Sequence, residues 1–169
     1  MDAAADAEFS DFMVGRWSQL VRLCYGLTGD VQLAEDLAQT AFARAYASWG
    51  RVRRADDPDA YLRRIVVNAN RNRFRKVRVP EVLTASVPEL TSAVESAGQP
   101  PDQRDALAAA LRQLPYGQRA AVVLRYWLDL SETETAALLG CSVGNVKSQS
   151  SRALAKLRAN AALLEGGVL

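Results

Sequence analysis

The chain has 169 residues, 49% apolar and 24% charged, a balance typical of a globular protein that can bury a core. No apolar run approaches the about 18 residues that cross a bilayer, and the acidic N-terminus does not resemble a secretory signal. We therefore expect a cytoplasmic protein without membrane insertion. Histidine is absent, which removes the commonest general base and disfavours an enzyme. Cys24 and Cys141 lack a CxxC partner and are expected to be buried free thiols rather than metal ligands or a disulfide.

The net charge of +2 conceals an uneven distribution along the chain. Residues 1–50 carry a net charge of −4, residues 51–79 of +7, residues 80–110 of −4 and residues 111–169 of +3. Two basic blocks separated by an acidic stretch indicate two anion-binding surfaces, for which nucleic acid is the obvious ligand. A solvated basic face without a ligand is the alternative.

The first 50 residues predict two amphipathic helices. Between Phe9 and Leu27, apolar positions recur every three or four residues. Asp30 can cap a second helix by accepting hydrogen bonds from its free backbone amides, and an apolar stripe of period 3.6 follows from Val31 to Tyr46. The opposite face of the second helix carries Glu35, Asp36, Gln39, Thr40 and Arg44. Such a face suits a protein partner better than nucleic acid, with ordinary solvation as the alternative.

A basic helix is predicted over residues 60–76, after a polar turn in which Pro58 suits the first helical turn. A strand over residues 65–67 is the alternative, because that run is β-branched. The outer face of the helix is assigned Arg63, Arg64, Asn68, Asn70, Arg71, Asn72, Arg73, Arg75 and Lys76. With Tyr61 and Trp49 nearby, this face could hold phosphates and receive an unstacked base. A solvated face, or one that docks an acidic protein, is the alternative.

Residues 77–101 are rich in proline, serine and acid and predict a linker. Helical patterning resumes at Asp102, breaks at Pro115 and returns over residues 116–127. The sequence contains no strand pattern apart from the alternative named above. We therefore predict an all-α fold of two small helical domains joined by a flexible linker.

The segment 131–158 has the spacing of a helix-turn-helix. Ser131 and Glu134 form a capping box for a short helix that Gly140 closes, and Ser142 caps a longer helix. The free face of the longer helix carries Asn145, Lys147, Ser148, Gln149, Ser151 and Arg152. The DNA major groove admits such a helix, so this segment predicts DNA binding, with a merely soluble helical hairpin as the alternative.

Three strings, in this order, resemble the extracytoplasmic-function (ECF) sigma factors over nearly the whole chain. GDVQLAEDLAQTAFARAY resembles the stretch that binds core RNA polymerase, and DAYLRRIVVNANRNRFRK resembles the reader of the −10 promoter element. LRQLPYGQRAAVVLRYWLDLSETETAALLGCSVGNVKSQSSRALAKLR resembles the reader of the −35 element. Within the family, the chain resembles the actinobacterial SigE branch. The resemblance implies a sigma region 2-like domain over residues 1–79, an acidic linker over 80–101 and a region 4-like domain over 102–169.

The resemblance also implies roles for individual residues. The expected contacts with the polymerase β′ clamp helices are Asp36, Gln39 and Thr40. The segment 50–58 is expected to help form a pocket for a flipped-out base of the −10 element, next to Asn68. The full set expected at the −10 element is Tyr61, Arg64, Asn68, Arg71, Arg73, Arg75 and Lys76. The set expected at the −35 element is Asn145, Lys147, Ser148, Ser151 and Arg152.

The function implied is that of an alternative sigma factor, which directs promoter-specific initiation and nucleates DNA melting. The implied partners are RNA polymerase core, through its β′ clamp helices and β flap, promoter DNA, and an anti-sigma factor as a candidate regulator. No cofactor, metal or small-molecule substrate is expected. The alternative is a helix-turn-helix regulator with an N-terminal dimerisation or sensing domain, and a third hypothesis is an RNA-binding or scaffolding protein.

Overall fold

The computed structural model describes residues 2–83 and 103–165, with side chains for residues 2–75 and 106–160. Every regular element in these ranges is a helix, which confirms the all-α prediction. The strand alternative for residues 65–67 is wrong, because the run lies inside a helix. Among the described residues, no helix combines the length and apolarity needed to cross a membrane. The described chain divides into two compact units, residues 2–24 with 30–83 and residues 25–29 with 103–165.

Four helices supply the first unit: α1 (Ala3–Thr28), α2 (Val31–Ala47), α3 (Trp49–Arg54) and α4 (Pro58–Leu83). Asp30 caps α2 as predicted, since its carboxylate accepts a hydrogen bond from the Leu33 amide at 3.0 Å. The Asp57 carboxylate accepts one from the Ala60 amide at 3.1 Å at the start of α4. α4 continues to Leu83, into the range expected to be linker, and residues 84–101 lie outside the described part of the chain.

The short helix α3 lies mostly within residues 51–59, which were predicted to form a polar turn. It forms because Trp49 and Val52, three residues apart, bury the same side of the segment, with only 4% and 0% of their surfaces exposed. The apolar core of the first unit comprises Phe9, Phe12, Leu20, Leu23, Cys24, Ala34, Leu37, Ala38, Ala41, Phe42, Ala45, Leu62, Val66, Val67 and Ala69, together with Trp49 and Val52 of α3. The predicted apolar stripe of α2 is confirmed except at its ends, where Val31 and Tyr46 are exposed.

The helices of the second unit are α5 (Gln103–Arg112), α6 (Tyr116–Val122), α7 (Glu132–Leu139) and α8 (Val143–Glu165). Between α6 and α7, residues Val123–Trp127 form a π-helical turn, in which the Leu128 amide donates to the Val123 carbonyl at 3.1 Å. The helix predicted to end at Trp127 does end there, with a wider last turn. Asp129 then takes a left-handed conformation with φ of 56°, which short polar side chains tolerate better than bulky ones.

The predicted helix-turn-helix is confirmed in its local chemistry. The Glu134 amide donates to Ser131 Oγ at 3.0 Å, and the Ser131 amide donates to Glu134 Oε2 at 2.8 Å, which completes the capping box. Gly140 ends α7 with φ of 68°, a conformation in which a side chain would be strained. Ser142 Oγ accepts from the Asn145 amide at 3.0 Å and so caps α8.

Candidate nucleic-acid and protein interfaces

The exposed face of α2 presents the three residues predicted to contact a protein. Asp36, Gln39 and Thr40 are all exposed, because the buried residues of α2 occupy the opposite side of the helix. Gln32 Nε2 donates to Asp36 Oδ1 at 3.2 Å, and the Thr40 hydroxyl donates to the Asp36 carbonyl at 2.9 Å. The structure therefore brings the three predicted residues together on one polar, acidic surface.

A stripe of predicted DNA contacts follows one side of α4. Its members, spaced by three or four residues, are Tyr61, Arg64, Asn68, Arg71 and Arg75. Arg64, Asn68 and Arg75 are exposed, whereas Tyr61 and Arg71 are half-buried. At 1.5 Å per residue the stripe is about 21 Å long, enough to follow several nucleotides. We call these five residues the α4 stripe.

Arg73 does not belong to the α4 stripe. It lies on the side of α4 that carries the buried residues, and its Nη2 donates to Asn70 Oδ1 at 3.2 Å. Burial lowers the pKa of Arg73, and the nearby charge of Asp30 opposes that shift. The contact between Arg73 and DNA stays a prediction. The guanidinium of Arg73 already donates a hydrogen bond to Asn70. The Lys76 side chain lies outside the described residues.

The prediction that Asn70 is exposed is wrong. This residue was assigned to the outer face of the basic helix, but only 2% of its surface is exposed. Positions 66, 69, 70 and 73 form one side of α4, so the helical period places Asn70 inward despite its polarity. The hydrogen bond from Arg73 satisfies the buried amide oxygen.

Three cations of α3 were not among the residues predicted to contact DNA. Arg51, Arg53 and Arg54 are exposed within the segment that was expected to help form the base pocket. Arg53 pairs with Glu8 at 3.2 Å, and Arg54 Nε donates to the Gly50 carbonyl at 2.9 Å. The density of positive charge in residues 51–54 was the signal that could have identified this surface.

The start of α8 presents the predicted −35 contacts on one side. Asn145, Lys147, Ser151 and Arg152 are exposed and Ser148 is half-buried, while Val146, Ser150 and Ala153 are buried on the opposite side. We call the first five residues the α8 face. At Gly144, the nearest atom to an added Cβ would be Ser142 Oγ at 3.9 Å, so there is room for the DNA backbone to approach closely.

Gln149 was assigned to the same face, and the structure places it elsewhere. Its side chain is half-buried against α6, where its Nε2 lies 3.1 Å from the position that a Cβ of Gly117 would occupy. The side chain therefore fills space left by a glycine of the neighbouring helix. That contact could not be found from the spacing of residues within α8.

Two family models match the chain: Sigma-70 region 2 over residues 14–79 and Sigma-70, region 4 over residues 101–157. The RNA polymerase sigma-E factor of Streptomyces coelicolor is 40% identical over 151 residues, which cover 89% of this chain and 84% of that protein. The ECF RNA polymerase sigma factor SigM of Mycobacterium tuberculosis is 34% identical over 154 residues, covering 89% and 75%. This chain belongs to the ECF sigma factors.

A solved structure gives the same result for the fold of this sigma factor. The sigma factor RpoE of Bartonella quintana, in complex with the anti-sigma factor NepR, matches with a TM-score of 0.74 at 25% identity. The match covers 90% of this sigma factor and 96% of that chain. Family membership excludes the regulator and the RNA-binding or scaffolding protein as alternatives. It also confirms that the chain is not an enzyme, since sigma factors are initiation factors without catalytic activity.

Proposed function

We propose that this sigma factor binds RNA polymerase core through the exposed face of α2, opens the −10 element with the α4 stripe, and recognises the −35 element with the α8 face. The observation that carries the proposal is the separation of charge among these elements. α2 presents an acidic surface, whereas the α4 stripe and the α8 face are basic and rich in hydrogen-bonding groups. Because the three α2 residues include a carboxylate and no cation, whereas the other two surfaces carry cations that attract nucleic acid, the elements can bind different partners at the same time. The place of action is the cytoplasm, where the polymerase works.

At the −10 element, we assign to Asn68 the edge of an extruded base. Removing a base from the duplex costs a few kcal/mol, which the protein must offset with stacking and hydrogen bonds. Asn68 is exposed in the middle of the α4 stripe, with Tyr61 two turns before it as a surface on which a base can stack. Arg64 and Arg75 lie on either side of Asn68 and would hold the phosphates of the non-template strand.

At the −35 element, α8 would enter the major groove with its N-terminal turns. Asn145 lies in the first turn and can contact a base edge, while Lys147 and Arg152 can contact either guanine or phosphate. Ser148 and Ser151 supply short hydroxyls that let the helix approach closely. The caps formed by Ser131 and Ser142 fix where α7 and α8 begin, and therefore which residues of α8 form its first turn.

The remaining partners follow from the division of the chain. Residues 1–79 would contact the β′ clamp helices and the −10 element, and residues 102–169 the β flap and the −35 element. Residues 80–101, of which 80–83 still belong to α4, would be the linker between them. An anti-sigma factor that covers the α2 surface would prevent core binding. RpoE of Bartonella quintana, whose fold this chain shares, is bound by an anti-sigma factor, NepR.

In vitro transcription with purified core polymerase on a genomic DNA library tests the proposal. We expect transcripts that start at a shared pair of −35 and −10 sequences, and no transcripts from core polymerase alone. Replacing Asp36, Gln39 and Thr40 together by alanine should abolish transcription. The matched control replaces Ser18, Gln19 and Arg22, which are exposed residues of α1, together by alanine, and it should retain activity. Transcription that is absent, or that shares no upstream sequence, would refute the proposal.

A further inference from the structure

The first half of α1 packs against the segment that joins α2 to α4. Its residues 3–13 precede the range matched by the region 2 model, which begins at residue 14. Phe9 and Phe12 are nevertheless buried, and their ring centroids lie 5.3 Å and 5.1 Å from that of Trp49. Trp49 is the first residue of α3, so these two rings hold the point at which the joining segment begins.

Polar contacts extend this packing along the whole joining segment. The Tyr46 hydroxyl donates to Asp6 Oδ1 at 2.8 Å at the end of α2, and Glu8 pairs with Arg53 of α3 at 3.2 Å. Arg16 pairs with Asp59 in the first turn of α4. α1 therefore contacts the segment before, within and after α3.

Arg16 links the aromatic contacts to the polar ones. Its guanidinium carbon lies 4.1 Å from the centroid of the Phe12 ring, while its Nε pairs with Asp59. Because Phe12 itself packs on Trp49, the start of α4 and the start of α3 are held by adjacent side chains of one helix.

The joining segment has little stability of its own. α3 has six residues, too few for an isolated helix to persist in water, and only residues 55–57 separate it from α4. Its geometry must therefore come from tertiary contacts, which α1 supplies on one side. A binding pocket loses selectivity when its walls move by about 0.5 Å or more, so these contacts bear on the recognition of a base.

We infer that residues 3–16 of α1 are a positioning element of the −10 site: Phe9, Phe12 and Arg16 hold α3 and the start of α4 in the geometry that selects the extruded base. This inference rests on the proposed function, because it requires the base pocket to lie beside the α4 stripe. Phe9, Phe12 and Arg16 touch no DNA in this arrangement and act through the segment 49–59.

The test uses full-length protein bound to core polymerase, and single-stranded non-template oligonucleotides that carry each of the four bases at each −10 position. Arg16→Ala should lower the preference for the best base over the other three by about two- to five-fold, the range expected for a partly exposed ion pair. Core affinity should not change. Arg22→Ala removes the same side chain from an exposed position of α1 and is the matched control, which should keep the wild-type preference.

Two further variants make the test specific. Asp59→Asn should reproduce the effect of Arg16→Ala, and the double variant should be no worse than either single one, because both remove the same contact. Phe9→Leu preserves apolar bulk but loses the edge-to-face contact with Trp49, and should also lower the preference.

The outcomes separate the two proposals. Wild-type protein that neither binds core nor prefers any base overturns the proposed function and the inference with it. Wild-type base preference retained in Arg16→Ala, Asp59→Asn and Phe9→Leu overturns the inference alone. Equal losses of core affinity and base preference also overturn it, because they would mean that α1 only supports the general stability of the first unit.

Discussion

Two asparagines, two residues apart on α4, should respond to alanine substitution in opposite ways. Asn70 is almost completely buried and its Oδ1 accepts a hydrogen bond from Arg73 at 3.2 Å, whereas Asn68 is exposed. Hydrogen bonds that involve a charged group contribute about 1.5–3 kcal/mol to stability. Asn70→Ala should therefore lower the free energy of unfolding of the first unit by that amount and its Tm by about 6 °C or more. Asn68→Ala should change the free energy of unfolding by less than about 0.5 kcal/mol.

The functional effect should follow the reverse order. A hydrogen bond to a base edge contributes about 1–3 kcal/mol of discrimination, so holoenzyme with Asn68→Ala should open promoters about five-fold more slowly or worse, with normal core affinity. Permanganate footprinting of −10 thymines over time measures opening, and thermal unfolding of the free protein measures stability. If footprints with Asn68→Ala developed as fast as those of the wild type, the assignment of Asn68 to the extruded base would be refuted. Equal destabilisation by the two substitutions would refute the structural distinction between them.

Three other substitutions test separate parts of the structure. If Arg152 contacts phosphate, Arg152→Ala should reduce the slope of log affinity against log salt concentration by about 0.9 when holoenzyme binds the promoter. If Arg152 contacts a base, the substitution should instead cost about 1–3 kcal/mol of discrimination at one base pair. An unchanged slope together with an unchanged base preference would remove Arg152 from the interface. Ser131→Ala removes its half of the capping box with Glu134 and should lower the free energy of unfolding of the second unit by about 1 kcal/mol, so an unchanged urea midpoint would contradict it. Burial raises the pKa of Cys24 from 9.0 to about 12, so the native state keeps a proton that the unfolded chain loses. The stability advantage of wild type over Cys24→Ala should therefore shrink by about 1.4 kcal/mol per pH unit as pH rises from about 9 to about 12, and a constant difference would contradict the burial of the thiol.

The helix-turn-helix was predictable in detail because its limits depend on local hydrogen bonding. A capping serine and the glutamate three residues later accept hydrogen bonds from each other's backbone amides, whatever the rest of the fold. A glycine can end a helix because its own backbone adopts a left-handed conformation, which does not depend on tertiary contacts. Ser131, Glu134, Gly140 and Ser142 occupy the positions predicted for them. The same reasoning located Asp30 at the start of α2.

The sequence-based predictions were wrong at residues whose conformation or burial is determined by tertiary packing. α3 is too short to show a helical period, and Trp49 and Val52 form it only because a hydrophobic core is available to bury them. Asn70 and Gln149 were placed on outer faces because polar residues usually lie there, whereas packing against Arg73 and Gly117 draws them inward. The exposed surfaces of α2, α4 and α8 could be predicted from helical periodicity. The partner that binds each surface could not, because it depends on the structure of a second molecule.

Association with core RNA polymerase tests the central claim most directly. Sedimentation velocity of the full-length chain mixed with purified core polymerase should show the chain moving with the polymerase. The triple alanine variant at Asp36, Gln39 and Thr40 should sediment as free protein, and the Ser18, Gln19 and Arg22 variant should behave as wild type. A wild-type chain that stays free of the polymerase at every concentration tested would contradict the account.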